Sequence, residues 1–484
     1  MSHTQVLVIG GGPAGATAAA LLAREGIEVE LLERAHFPRY HIGESIVPAC
    51  LPILELIGLR STMDGYGFQP KEGVYFHWGD QQWDYRFGSL TGAYTYAWQV
   101  ERADFDELLL RNAASQGARV HEGRQVTGVE FDEQGRASAV TWQEPATGAS
   151  GRCSFDYLID ASGRAGVVAN RHLSGRRFHE SFKNVAMWAY WTGGRPVPQA
   201  PGGATLVSSI KEGWVWAIPL RGGVHSVGVV MHRRRFQELR ARNDLPEIYR
   251  NMLREAKMLP YVLHDAEMTS DIRLEQDYSY TAERFAGPGY FLCGDAACFL
   301  DPLLSTGVHL AMFSALLASA CVASLRRGEL DPAGAEQFYE ESYRRTYLRL
   351  LVVVAAVYNQ NRPAESYFWE AQRLTTRDAD PDAVFDAFLT VVSGIEDLRD
   401  VGGQERTDRV VDRISRLYSD VHQVLQGKLR QDDLTEEDRE QITATAGYWK
   451  SVVGAYTVDR NNPVRGRFVV TEPKLGVATV GCAG

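Results

Sequence analysis

The run Gly10-Gly11-Gly12-Pro13-Ala14-Gly15 limits what this chain can fold into more than any other feature, because of its neighbours. Val6-Leu7-Val8-Ile9 is an uninterrupted apolar stretch, the pattern of a buried strand, and it leads straight into the glycines. Ala16 to Ala23 then supply a helix of small residues, and a second apolar strand, Glu28 to Leu32, ends at Glu33. Strand, glycine turn, helix and strand-end acid in this order form a dinucleotide-binding unit. Gly10 permits the tight turn. Gly12 lacks a Cβ, so a pyrophosphate can approach the backbone, and Gly15 lets helix and strand pack closely. The helix N-terminus offers free N–H groups to the phosphates. Glu33 is placed to bind ribose hydroxyls.

At 484 residues the chain can bury a large core, with two or three structural units expected. Its net charge of −10 argues against a nucleic-acid partner, which favours a basic face. The first strand starts within the first six residues, so no signal peptide is expected ahead of it. No membrane span is expected either: the longest apolar candidate, Leu348 to Val357, is short and follows Arg344 and Arg345. Cys50, Cys153, Cys293, Cys298, Cys321 and Cys482 are scattered, without a CxxC pair or a Cys/His cluster, so no metal site is expected. Reduced thiols in a cytoplasmic protein are the simplest reading.

Residues 36 to 45 read as a loop, and Pro48 to Ile57 as an apolar helix. Aromatics alternate through 71 to 100, which suits antiparallel strands inserted into the first domain. Asp104 to Gln116 is a helix, Arg119 to Trp142 is strand with a turn at 132–135, and Tyr157 to Gly163 is a strand entering another glycine turn. Strands dominate 180 to 280 apart from a helix near 234 to 256. Gly289 to Cys293 is a last parallel strand, after which Gly294-Asp295 opens a long helix. Residues 330 to 450 read as helical, and 455 to 484 as an extended or loose tail. The expected domains are 1–180, with the inserted strands 71–100, and 281–330 for the nucleotide, 181–280 for the substrate side, and 331–484 as a helical C-terminal region.

Segments 6–15, 157–163 and 290–296 share one pattern of apolar strand, glycine turn and acid or helix start. Asp295 is placed to accept a hydrogen bond from a ribityl hydroxyl. A second helix start, after Asp301-Pro302-Leu303-Leu304-Ser305-Thr306-Gly307, offers its N–H groups to the pyrimidine edge of a flavin.

Together with the QVER segment at 99–102, IDASG at 159–163 and CGDAA at 293–297, the set resembles the FAD-dependent monooxygenases of the para-hydroxybenzoate hydroxylase superfamily. The resemblance spans most of residues 5 to 325. It implies an α/β fold: a Rossmann-like FAD-binding domain of the GR2 type, an inserted antiparallel substrate sheet and a helical C-terminal region. It implies that Arg102 helps to hold FAD. It also assigns Pro13, Ala14, Arg34 and Arg39 to the cofactor, with Ser45 and Val126 beside them. Asp160, Gly163, Asp295, Pro302 and Gly307 complete that set.

Two features narrow the resemblance to flavin-dependent halogenases. Gly213-Trp214-Val215-Trp216-Ala217-Ile218-Pro219 resembles their GWxWxIP signature, and His41-Ile42-Gly43-Glu44-Ser45 resembles their GES loop. Lys71 stands where they carry an essential lysine. The branch resembled acts on phenolic or pyrrolic groups, often carrier-bound, in secondary-metabolite biosynthesis. It implies that FADH2 from a separate reductase, with O2, gives a flavin hydroperoxide that oxidises chloride or bromide to hypohalous acid. Lys71 then directs the halogen to the substrate. Trp214 and Trp216, two apart on a strand, project to one face and can wall the flavin off from the substrate. Backbone N–H groups of Thr306 and Gly307 are candidates for the halide. Glu44 is a candidate general base. No second glycine-loop unit is read downstream, hence the separate reductase. Alternatives on the same fold are an aromatic hydroxylase, an ene-reductase, and a catalytically silent FAD-binding partner of a carrier protein. The segment Ser366-Tyr367-Phe368-Trp369 also resembles one of this branch and, with Tyr358, Phe385 and Phe388, is a candidate lid for an aromatic ring.

Overall fold

The computed structural model describes residues 2–79, 81–87, 95–173, 175–179, 182–276, 279–360, 458–460 and 463–481. Its first sheet carries five parallel strands in the order Tyr290–Leu292, Ala149–Asp160, Ser2–Ile9, Val29–Glu33 and Arg119–Glu122. Ser2–Ile9 is paired on both edges, with Val8 opposite Ile159 and Leu31. A strand covered on both faces needs apolar residues at every position, and Val6, Leu7 and Val8 have no exposed surface. The helix Pro13–Arg24 lies against it on a stripe of alanines, Ala16, Ala18, Ala19 and Ala20, all fully buried. The register sets Ile9 beside Asp160 and Asp160 beside Leu292. The three glycine turns read from the sequence therefore leave one edge together, at the carboxyl ends where α/β sheets bind ligands.

The second sheet is mainly antiparallel, running Asn184–Thr192, Val224–His232, Gly213–Pro219, Thr205–Ile210, Gly73–Trp78 and Gln81–Arg86. Gly73–Trp78 joins it parallel to Thr205–Ile210, so part of the aromatic 71–100 region belongs to this sheet. Gln69–Lys71 instead pairs with Ala97–Gln99 in a two-stranded ribbon. The sheet separates two cores. Val215 and Ala217 pack with Tyr249 and Met252 of the helix Leu245–Glu255, whereas Trp214, Trp216 and Ile218 face the core shared with the nucleotide-binding unit.

Four expectations need correction. Gly294-Asp295 opens only a single 3-10 turn, Gly294–Ala296, and the long helix begins at Gly307. Gly294 has a φ of +58°, outside the right-handed helical region, and Pro302 interrupts again downstream. The helix near 234–256 is two helices, Arg233–Arg240 and Leu245–Glu255, the second started by Asp244, whose side chain accepts from the Glu247 N–H at 2.7 Å.

Of the two readings of the tail, extended holds and loose does not. Arg467–Val470 and Gly476–Thr479 form a hairpin that buries Phe468 and Leu475. It is tied down by Arg467 Nη1 to the Gly334 carbonyl (2.9 Å), Leu475 N–H to Glu25 Oε1 (3.0 Å) and Val477 N–H to Ser324 Oγ (2.9 Å).

Finally, Gly307–Arg326 is long and apolar enough to cross a bilayer, with a mean hydropathy of 1.9, contrary to the expectation that no run reaches that length. Of that stretch 89% is buried within the protein, between the helices Pro13–Arg24 and Pro332–Gln360, so its apolarity serves the core. The helical expectation for 330–450 is met over Pro332–Gln360, which includes Tyr358. Tyr367, Phe368, Trp369, Phe385 and Phe388 lie outside the described residues.

Candidate active site

The glycines of the first turn do different jobs. Gly10 has a φ of +99°, and a Cβ there would stand 2.4 Å from the Ala161 carbonyl oxygen. A Cβ on Gly15 would stand 1.8 Å from the Gly10 carbonyl oxygen. Both are needed by the fold. At Gly12 a Cβ would meet only Arg39 Nη2, at 3.3 Å. The space over Gly12 is thus not filled by the protein, as a pyrophosphate cradle requires. Ala16 N–H bonds the Gly12 carbonyl (2.9 Å) and closes the first helical turn, so the amides of Ala14 and Gly15 have no acceptor within the helix. Arg39 adds positive charge at the same place. Its buried Nη1 lies 3.2 Å from Asp106 Oδ2 yet makes no hydrogen bond among the described residues.

Glu33 ends its strand buried against the turn, its carboxylate accepting from Gly11 N–H (2.6 Å) and Ala35 N–H (2.8 Å). Arg34 follows it, exposed, and Val126 is a buried residue of the strand Gln125–Phe131, opposite Trp142. Asp160 spends both oxygens on backbone N–H groups, those of Ser162 (3.0 Å) and Val168 (2.8 Å), and so fixes the Gly163 turn. Gly163 has a φ of +62°.

Asp295 is different. Its backbone carbonyl accepts from Tyr280 OH (2.7 Å) and Arg176 Nη2 (2.9 Å), while its carboxylate accepts no hydrogen bond among the described residues. Burial pushes its acid up to about 6, against the pull of Arg102, Arg176 and Arg164. A carboxylate with unspent lone pairs at the strand end suits a ribityl hydroxyl. Arg102 is buried and grips Asp106 with both Nε (2.8 Å) and Nη2 (2.9 Å), while Nη1 donates to the Ile42 carbonyl (2.8 Å). It therefore braces the 41–45 loop beside the nucleotide cleft. Asp106, which the sequence reading missed, anchors both Arg102 and Arg39. These features fit FAD: an open cradle over Gly12, free amides, an unpaired carboxylate and cationic flanks.

Lys71 has no exposed surface. Its ribbon strand aims the side chain inward, with Ala97 opposite, and Nζ donates to Ser45 Oγ (2.7 Å) and the Ile46 carbonyl (3.2 Å). Nζ also stands 5.3 Å from the centre of the Phe87 ring. Ser45 is held in turn: Oγ lies 3.2 Å from Thr205 Oγ1, which accepts from Gln99 Nε2 at 2.8 Å. Burial pushes the Lys71 ammonium down to about 7, from an ordinary 10.5. Near neutral pH a large share is amine, with its two N–H groups spent on Ser45 and Ile46 and its lone pair left over.

Trp214 and Trp216 lie side by side, ring centroids 5.9 Å apart, both nearly fully buried. Trp216 rests flat on Gly228 of the neighbouring strand, where a Cβ would come within 2.1 Å of the ring. The alternation of the strand thus does what the sequence pattern implied, setting both rings on one face.

The chain as a whole is similar to known proteins. The profile of the tryptophan halogenase family matches residues 5–95 and 87–401. A tryptophan 2-halogenase of Chondromyces crocatus is 42% identical in an alignment covering 98% of this chain and 94% of the relative. The chain is a flavin-dependent halogenase. A sulochrin halogenase of Aspergillus terreus is 36% identical, over 92% of this chain and 85% of the relative. The structure of the myxobacterial chondrochloren halogenase CndH, 33% identical, superposes with a TM-score of 0.74 over 83% of this chain and 92% of that one. CmlS, another flavin-dependent halogenase, gives 0.74 at 31% identity, over 94% of this chain and 78% of that one. The halogenase is accordingly an FADH2-dependent oxidoreductase acting on an aromatic ring, which displaces the hydroxylase, ene-reductase and silent-partner alternatives.

The structure also places the candidates Thr306, Gly307 and Pro302 and, beside them, residues that the sequence did not single out. Thr306, buried, precedes the helix Gly307–Arg326, and Ser305 ahead of it holds a φ of +57°. Leu310 N–H bonds the Thr306 carbonyl (2.9 Å), so the amides before it have no acceptor within the helix. Pro302 starts the preceding 3-10 turn. Two residues into the helix, His309 is fully buried and faces the Ala49 backbone, and burial pushes its imidazole down to about 3. Ala49 lies between Pro48 and Cys50, and Cys50 feels the charge of Lys71, so the helix start and the lysine border one region.

Glu44 is buried beside Tyr190, whose hydroxyl donates to Oε1 at 2.5 Å. Neither Tyr190 nor Tyr40, next along the same chain of bonds, carries a motif. On the outer side of the Lys71 ribbon, Phe68, Pro70, Glu72, Arg86, Tyr96 and Trp98 border an open cavity of about 560 Å³.

Proposed function

We propose that this halogenase chlorinates an electron-rich ring, phenol, pyrrole or indole, and that Lys71 delivers the electrophilic halogen. Indole joins the two rings expected from sequence because the 42% identical relative is a tryptophan 2-halogenase. Bound FAD, reduced elsewhere and meeting O2 here, supplies the oxidising power that turns halide into hypohalous acid. Gly10, Gly12, Pro13, Ala14, Gly15 and Glu33 hold its adenosine diphosphate half with Arg34, Arg39 and Val126 alongside. Asp295, Arg102, Ser45, Asp160, Gly163, Pro302 and Gly307 shape the flavin half. The amides of Thr306 and Gly307 take the halide at the helix start.

The observation that carries the reading is the state of Lys71: fully buried, fixed by two acceptors, and pushed down to about 7. An amine held this way can hydrogen-bond hypohalous acid or take its halogen, and it presents the halogen in one geometry. Trp214 and Trp216 keep the ring to be halogenated away from the flavin. Reduced flavin comes from a separate reductase, in a cytoplasmic setting that keeps the thiols reduced. The substrate is either free or carried on an acyl or peptidyl carrier protein.

The test supplies FADH2, chloride and a panel of free and carrier-bound phenols, pyrroles and indoles, and measures halogenated product beside released peroxide. Lys71→Ala is expected to lose product while flavin reoxidation persists as peroxide. A variant that chlorinates like the parent would make Lys71 a mere packing residue and overturn the mechanism.

A further inference from the structure

Glu44, in the 41–45 loop, is 2% exposed and turns its side chain to the second sheet. Oε1 accepts from Tyr190 OH. Oε2 is buried and has no hydrogen bond of ordinary geometry among the described residues; Ser226 stands nearest, and its Oγ lies 3.4 Å from Trp216 Nε1. The carboxyl therefore has one oxygen turned toward the tryptophan wall and the other tied to a chain of hydroxyls. Tyr190 OH lies 3.1 Å from Tyr40 OH, which lies 2.8 Å from Trp188 Nε1. Tyr40 is 45% exposed, and the Arg273 guanidinium stands 3.6 Å over its ring.

Proton counting fixes the direction of this chain. An indole N–H can only donate, so Tyr40 oxygen accepts from Trp188. An ionised carboxylate can only accept, so Tyr190 gives its single proton to Glu44. Tyr190 oxygen is then the acceptor for Tyr40. While Glu44 is ionised, and Tyr190 gives it the proton it could otherwise give Tyr40, every proton along the path points from the surface to Glu44.

We propose that Tyr40 and Tyr190 form a proton relay that reloads the Glu44 carboxyl from solvent, with Glu44 supplying a proton to the halogenation site in each turnover. The proposal rests on the halogenase reading. That reaction balances as FADH2 + O2 + ArH + Cl− + H+ giving FAD + ArCl + 2 H2O. Oxygen takes four electrons, two from FADH2 and two from the C–H and chloride that become C–Cl. Of the four protons that end in water, two come from FADH2 and one from the ring. The fourth comes from outside, and a site closed by Trp214 and Trp216 needs a path for it. The groups around Glu44 suit a donor that is refilled near neutral pH. Burial pushes the acid up to about 7, Tyr190, Ser226 and Arg102 pull it down, and Glu101 adds to the push. Tyr40 and Tyr190 are positioning residues, since they act through Glu44.

The test follows the Glu44 carboxyl by difference infrared spectroscopy of the FAD-loaded protein, with neither halide nor substrate. The protonated-acid band is assigned by its loss in Glu44→Gln. After a jump into D2O, Tyr190→Phe is expected to exchange this proton about a hundredfold more slowly than the parent, the lower edge of what a positioned proton-transfer group contributes. Tyr40→Phe, altered at the surface, is expected to slow it by a smaller factor, and both variants bind FAD like the parent. Exchange in Tyr190→Phe as fast as in the parent, or no acid band in the parent, overturns the relay. A parent that exchanges through the relay but yields no halogenated product from any ring sinks the halogenase reading and leaves the relay standing.

Discussion

Replacing Lys71 by methionine should make the halogenase more stable at low pH while abolishing halogenation. The ammonium is pushed down from 10.5 to about 7 by burial. Each pKa unit is about 1.4 kcal/mol, so carrying the charged lysine costs the fold roughly 5 kcal/mol near pH 6. Methionine removes that cost and keeps much of the volume; Ser45 Oγ keeps Thr205 Oγ1, so the group left without a donor is the Ile46 carbonyl, a loss of about 1–3 kcal/mol. Desolvation wins, by roughly 2–4 kcal/mol. The sign follows from the depressed folded pKa: the contribution of the lysine is fully favourable above 10.5, and is lost as pH falls from there through 7. Across that window the parent should gain about 1.4 kcal/mol per pH unit from this group, a component the variant lacks. Equilibrium unfolding in urea at a series of pH values measures it. Lys71→Met should be the more stable protein near pH 6, and the less stable one near pH 10, where the amine costs nothing and its hydrogen bonds remain. A stability difference that does not change with pH would show that Lys71 is not desolvated, and the argument for an amine nucleophile would fall with it. Under supplied FADH2 the same variant should give peroxide and no halogenated product.

Gly12→Val should bind FAD poorly yet fold, because a side chain there meets only Arg39, whereas Gly15→Ala should not give stable protein, since its Cβ would stand 1.8 Å from a backbone oxygen. Flavin content after purification and thermal melting separate the two. Asp295→Asn should weaken FAD binding roughly tenfold, the difference between a charge-assisted and a neutral hydrogen bond, read by fluorescence titration. Gly228→Ala should push the Trp216 ring off its seat, costing about 1–3 kcal/mol of stability as an overpacked core does and raising the ratio of peroxide to halogenated product. An unchanged melting temperature would mean that Trp216 is not packed as described.

What the sequence made legible was local. Val6 to Ile9 could be read as a doubly covered strand because burial on both faces erases alternation, and the paired tryptophans could be placed on one face because a strand repeats every two residues. The long helix was started too early because Gly294-Asp295 looks like a helix opening, and only the backbone shows a φ of +58° there. The C-terminal hairpin escaped notice because its anchors are distant: Leu475 bonds Glu25, 450 residues away. Tyr40 and Tyr190 escaped for the same reason, being 150 residues apart and belonging to no pattern. Lys71 was legible as a candidate through resemblance alone. A lysine between Pro70 and Glu72 carries no sign of burial, and it is the ribbon with Ala97–Gln99 that turns it inward.

One loop ties the two tuned groups together. Ser45 accepts from Lys71, and its neighbour Glu44 accepts from Tyr190. In water the lysine would be cationic and the glutamate anionic at neutral pH. Here burial, the largest cause for both, drives the lysine down to about 7 and the acid up to about 7. The charge that acts on Lys71 is that of Cys50, and those that act on Glu44 are Arg102 and Glu101, so lysine and glutamate do not quench one another as an ion pair. A dry pocket therefore yields, from one lysine and one glutamate, an amine with a free lone pair and an acid with a proton to give. Separating acid from base by environment is how a site runs both chemistries at one pH. It also gives the tryptophan wall a second role, at Glu44: admit water past Trp216 and Ser226, and the acid returns toward its ordinary ionised state.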